Sequence, residues 1–145
     1  MRRIAILNFI VVTAFASLAC GGYSTGLQQT VARADETTVV AALRAISIAQ
    51  QTYSLSNGGN YGTLDQLREG GYLDDRFKSQ DGGLKNYKLT LDAKPQSAET
   101  PPSFSCNADP INTGPQAGRH FYMDSTSEAI HVNATQPATA TDPVY

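Results

Sequence analysis

The stretch Val39-Val40-Ala41-Ala42-Leu43-Arg44-Ala45-Ile46-Ser47-Ile48-Ala49-Gln50-Gln51-Thr52-Tyr53 decides the fold. Val39, Ala42, Leu43, Ile46, Ala49 and Tyr53 recur at spacings of three and four, which gathers them on one face of a helix. No Pro or Gly falls between Leu27 and Ser54, so the spacing predicts one long helix over 27–54. Gln28, Gln29, Arg33, Asp35, Glu36, Arg44 and Gln51 are expected on its other faces. The stripe is strongest from Val39 onward, so the C-terminal half should pack and the more polar N-terminal half should project into solvent. Asn57-Gly58-Gly59-Asn60 supplies residues that tolerate positive φ and ends the helix.

Downstream the texture changes. In Tyr61–Arg68, Thr63 and Gln66 have capping-box spacing and Gly70-Gly71 closes the element, which predicts a short second helix that buries Leu64 and Leu67. Asn86–Asp92 alternates, with Tyr87, Leu89 and Leu91 on one side and Lys88, Thr90 and Asp92 on the other, the pattern of a half-buried strand. Ser103–Ala108 places Phe104 and Cys106 on a shared face, and Arg119–Met123 and Ala129–Val132 read as two short strands joined by a hairpin loop over 124–128. Phe121 and Ile130 are their core candidates, and the bulk of His120 and Tyr122 predicts cover on both faces of the 119–123 strand. Lys94–Pro102 and Asp109–Gly118 are turn-rich loops, and 135–145 reads as an irregular tail. One long helix, a short helix and three or four antiparallel strands make an α+β fold.

Upstream, Met1-Arg2-Arg3 precedes a run from Ile4 to Ala19 that is apolar apart from Asn8 and a few small polar residues. As a helix that run reaches about 24 Å, short of the roughly 30 Å hydrocarbon core of a bilayer. It reads as an export signal over 1–19. Leu18-Ala19-Cys20-Gly21 is similar to a bacterial lipobox, with Cys20 as the lipidated residue, although Ser17 stands where that motif prefers Leu. Cleavage before Cys20 without lipid, and retention of the run as an anchor, are the alternatives. Residues 20–26 then form a polar, glycine-marked tether, and the domain spans 27–134.

The inventory narrows the function. A chain of 145 residues is one domain's length, and 41% hydrophobic content suffices for a core. The net charge of -2 falls to -4 once Arg2 and Arg3 leave with the signal, which argues against nucleic acid as a partner. Two cysteines build neither a structural zinc site nor a disulfide-dense scaffold. Cys20 and Cys106 would pair only if Cys20 kept its thiol; otherwise Cys106 is a half-buried free thiol. His120 and His131, on adjacent strands, are two ligands without a third and read as sheet-face histidines. Asp74, Asp75 and Asp81 lack the EF-hand order and read as a solvated turn. No nucleophile elbow and no phosphate-binding glycine loop occurs, so neither an enzyme nor a cofactor is expected.

The stretch Ala34-Asp35-Glu36-Thr37-Thr38-Val39 continuing to Tyr53 resembles the globular half of a type IV pilin helix. Tyr61-Gly62-Thr63-Leu64 with Gly71-Tyr72-Leu73-Asp74 is similar to that family's helix-to-sheet connection. Arg119–Asp124 resembles its penultimate strand and Gln136–Ala140 its C-terminal tail. The resemblance covers roughly residues 30–140 and implies a pilin-like or pseudopilin-like domain, its long helix packed on a small antiparallel sheet. The chain departs from the family at the start, where Arg3 precedes Ile4 and Asn8 stands in place of the assembly Glu. The expectation is a non-enzymatic, pilin-like structural lipoprotein, periplasmic and membrane-anchored in a bacterial envelope. The alternatives are a pilus or type II secretion filament subunit retaining its N-terminal helix, and a periplasmic binding module using the 94–102 and 109–118 loops. The implied partners are the membrane, a second copy, or pilus and secretion components.

Overall fold

The computed structural model describes residues 21–145 except 79–83, 85, 113, 115 and 116, and only the backbone of 21–29. The first element, α1, is a 36-residue helix, Gly21–Ser56. The expected tether over 20–26 is therefore corrected from Gly21 on. Once a helix is nucleated, each further residue adds a backbone hydrogen bond. That gain carries α1 through Gly22 and Gly26, although each costs about 1 kcal/mol relative to Ala. Helix α1 stops where expected. Gly58 and Gly59 take φ of 63° and 87°, and the Gly59 amide donates to the Ser54 carbonyl at 2.9 Å.

The second helix, α2 (Leu64–Glu69), starts at a complete capping box. Thr63 Oγ1 accepts from the Gln66 amide, and Gln66 Oε1 accepts from the Thr63 amide. A single 3-10 turn, Asp75–Phe77, follows under an Asp74 cap and buries Phe77. Four antiparallel strands complete the chain: β1 (Tyr87–Lys94), β2 (Ser103–Pro110), β3 (His120–Asp124) and β4 (His131–Asn133). They lie in chain order as a meander. Tyr87 faces Pro110, Ser105 faces Asp124, and Tyr122 faces His131.

One face of this sheet packs on α1. Val39, Leu43, Ile46, Leu64, Leu67, Tyr87, Phe121 and Ile130 are buried together with Phe104, Cys106, Ala108 and Met123. Tyr53 and Leu89 are only part-buried at the margin of this core. The other sheet face is polar: Lys88, Thr90, Asp92, Lys94, Ser105, Asn107, Asp109, His120, Tyr122, Asp124, His131 and Asn133.

Two further expectations need correction. The N-terminal half of α1 does not simply project into solvent, because Asp35 and Glu36 are buried at 4% and 7% exposure. The tail is irregular in outline but belongs to the domain. It crosses the polar face with Ala138 buried, then runs beside β4. There the Val132 amide donates to the Pro143 carbonyl (2.9 Å) and the Tyr145 amide to the Ile130 carbonyl (2.8 Å).

Candidate functional site

The polar groups that matter most lie where α1 meets the start of β3. The Glu36 carboxylate accepts from the Arg119 backbone amide (3.0 Å) and from its guanidinium, Nη2 at 2.8 Å and Nε at 3.2 Å. Burial opposes the charge on Glu36. The Arg119 side-chain and backbone bonds outweigh it and hold the carboxyl below its ordinary value. The preceding residue, Asp35, accepts from Asn86 Nδ2 at 2.8 Å, which ties the same helix to the start of β1. The Arg119 guanidinium also lies over the rings of Phe121 and Tyr145, 5.9 and 5.2 Å from their centroids. This clamp joins helix, sheet and tail.

Two more anchors hold α1. Gln50, fully buried, donates to the Gly62 carbonyl (2.6 Å) and accepts the Gly62 amide (2.8 Å). Glu128, in the β3–β4 connection, accepts from Ser47 Oγ (3.2 Å) and from Gln51 Nε2 (2.7 Å). Its φ is 54°, the left-handed region in which a non-glycine residue is uncommon. Close packing also fixes Gly118, where a Cβ would overlap the Tyr87 hydroxyl that donates to the Arg119 carbonyl.

The expected chemical candidates fall as follows. Cys20 lies outside the described residues. Cys106 is a free thiol and fully buried rather than half-buried, and burial pushes its pKa up to about 12. A thiol so placed stays protonated at neutral pH and is inert. His120 and His131 sit on the polar face but do not converge. His120 Nδ1 pairs with Asp109 at 2.6 Å, and His131 Nδ1 lies 2.6 Å from the Asp142 carbonyl. No Ser, Thr or Cys among the described residues hydrogen-bonds to either ring. Asp74 caps the 3-10 turn and pairs with Arg76, and Asp75 pairs with Lys78. Asp81 lies outside the described residues, and no group of three potential metal ligands occurs among those described.

A shallow hollow of about 180 Å³ lies on the polar face, walled by Asp92, Lys94, Ser105, Tyr122 and Asp124. Both of its acids have partners: Asp124 accepts from the Tyr122 hydroxyl (3.0 Å) and the Thr126 amide (2.9 Å), and Asp92 lies 3.9 Å from Lys94 Nζ. The 94–102 and 109–118 loops lie at opposite ends of β2, about 24 Å apart at 3.4 Å per residue. They cannot grip one small ligand together. Among the described residues no helix is both long and apolar enough to cross a membrane. Set against known protein families, characterised proteins and solved structures, the chain matches none.

The clamp residues escape a reading of α1 that begins its apolar stripe at Val39. The signal lay in the phase of the helix. Positions 36, 39, 43, 46, 50 and 53 share one face, so Glu36 and Gln50 continue the stripe that Val39, Leu43 and Ile46 define.

Proposed function

We propose that this chain is a non-enzymatic, pilin-like structural protein of a bacterial cell envelope, held at the membrane through its N-terminus. Lipid on Cys20 is the proposed tether. The observation that carries this reading is the uninterrupted helix Gly21–Ser56, whose later half lies on a four-stranded antiparallel meander. The order of elements is the one implied by the likeness of residues 30–140 to type IV pilins. The polar groups support a structural role, because the buried acids and amides are spent on holding helix, sheet and tail together.

A filament subunit that keeps residues 4–19 is the second reading, and a specific observation favours it. The outward face of α1 carries a mostly uncharged stripe: Ala34, Thr37, Ala41, Ile48, Thr52 and Leu55 lie along it, all exposed, with Arg44 as the exposed cation among them. Thr37 and Thr52 turn their hydroxyls onto carbonyls four residues earlier, which leaves their methyl groups outward. Such a face suits packing against neighbouring helices.

Mass spectrometry of the mature N-terminus, with membrane fractionation of Cys20→Ala, separates these readings. A chain beginning at an acylated Cys20, and release of the variant from membranes, is the expected result. Surface fibres containing the chain with residues 4–19 intact would establish the filament subunit instead. A soluble, unmodified chain in both proteins overturns the membrane tether.

A further inference from the structure

We propose that two copies of this chain join edge to edge through β1, with Thr90 of each copy on the two-fold axis. The proposal is independent of how the N-terminus is anchored. It begins from the hydrogen-bond parity of β1. The Ile111 amide donates to the Asn86 carbonyl at 2.7 Å, and the register that follows pairs Lys88 with Asp109 and Thr90 with Asn107. The backbone groups of Lys88, Thr90, Asp92 and Lys94 therefore turn toward β2, and those of Leu89, Leu91 and Ala93 turn away from the sheet. The Tyr87 amide is capped by the Leu84 carbonyl (3.2 Å), but no described group bonds the outward amides or carbonyls of Leu89, Leu91 and Ala93. An uncovered row of this kind is a template for another strand.

The side chains select the occupant. The segment Tyr87-Lys88-Leu89-Thr90-Leu91-Asp92-Ala93 is self-complementary about Thr90. An antiparallel copy centred there sets Lys88 opposite Asp92 twice on the polar face, and Leu89 opposite Leu91 twice on the core face. The outward parity is respected, since Leu89 and Leu91 become the hydrogen-bonded pairs and Thr90 meets its own copy in a non-hydrogen-bonded pair. Leu89 and Leu91 are only half-buried in the single chain, and this pairing covers them further. A shift of the centre by one residue to Leu91 sets Lys88 against Lys94, so charge rejects that register. Within the chain, Asp92 makes only an exposed contact with Lys94 at 3.9 Å, a weak surface pair, and the Asp109 that stands opposite Lys88 is engaged by His120 at 2.6 Å. The interface is isologous, so it closes at two copies.

The test uses the full chain in detergent micelles. In a non-hydrogen-bonded pair the Cα atoms lie about 4.5 Å apart, within disulfide range. Thr90→Cys should therefore give a covalent dimer under copper phenanthroline, with a 90-to-90 link identified by mass spectrometry. Lys88→Cys should not link to itself. In sedimentation equilibrium, Lys88→Asp should weaken the dimer about tenfold or more. The double variant Lys88→Asp with Asp92→Lys should restore it, because each new charge again faces its opposite. A monomeric wild-type chain, equal cross-linking at positions 88 and 90, or a double variant no tighter than Lys88→Asp would each overturn the proposal.

Discussion

Glu36 contributes to stability through a charge that burial disfavours and Arg119 restores. With the carboxyl held below its ordinary value of 4.5, its contribution is complete above that pH and is lost as the pH falls through the lower folded value. Glu36→Gln should cost about 2 kcal/mol at pH 7, the range for a hydrogen bond to a charged group. The gap between variant and wild type should narrow in urea melts as the pH is lowered below 4.5. A gap that stays constant with pH would show that Gln fails for reasons of shape and not of charge. The apolar stripe from Val39 to Ile46 was legible, because spacing alone decides which residues share a helix face. The phase of the helix places Glu36 on that stripe, but the partners of Asp35 and Glu36 were not legible, because Asn86 and Arg119 lie 51 and 83 residues away along the chain.

Among the elements, the β3–β4 connection is held by Glu128, whose carboxylate engages Ser47 and Gln51 of α1. Its left-handed backbone costs about 1–2 kcal/mol in a residue with a Cβ. Glu128→Ala keeps that cost and loses the bonds, whereas Glu128→Gly loses the bonds and sheds the cost. Thermal melts should place the Gly variant above the Ala variant by about 1 kcal/mol. Equal stabilities would mean that the loop relaxes out of this conformation once the carboxylate is gone. The capping box before α2 and the glycines after α1 were readable because local backbone chemistry dictates both. The ends of α1 and β4 were less so. Gly22 and Gly26 look like a linker, yet the helix propagates through them. The residues at 129 and 130 alternate like a strand, yet Glu128 bends the chain before pairing begins at His131.

For the molecule as a whole, the last segment closes the side of the sheet opposite β1. Asn107 donates to the Ala138 carbonyl, Asn133 to Asp142, and residues 143–145 lie along β4. Thr139 and Asn133 hold the Asp142 carboxyl below its ordinary value, consistent with a tail fixed by its own turn. Removal of 134–145 should lower the midpoint of thermal unfolding by several degrees, about what a loss of 1–2 kcal/mol produces in a domain of this size. An unchanged midpoint would show that the tail adds no stability. The same deletion has a second consequence. Among the described residues, 143–145 cover β4 and leave the β1 border open, so edge pairing is self-limiting. Without them β4 acquires an open border of its own, each chain can bind two neighbours, and a unit that stops at a pair becomes the repeating element of a fibre.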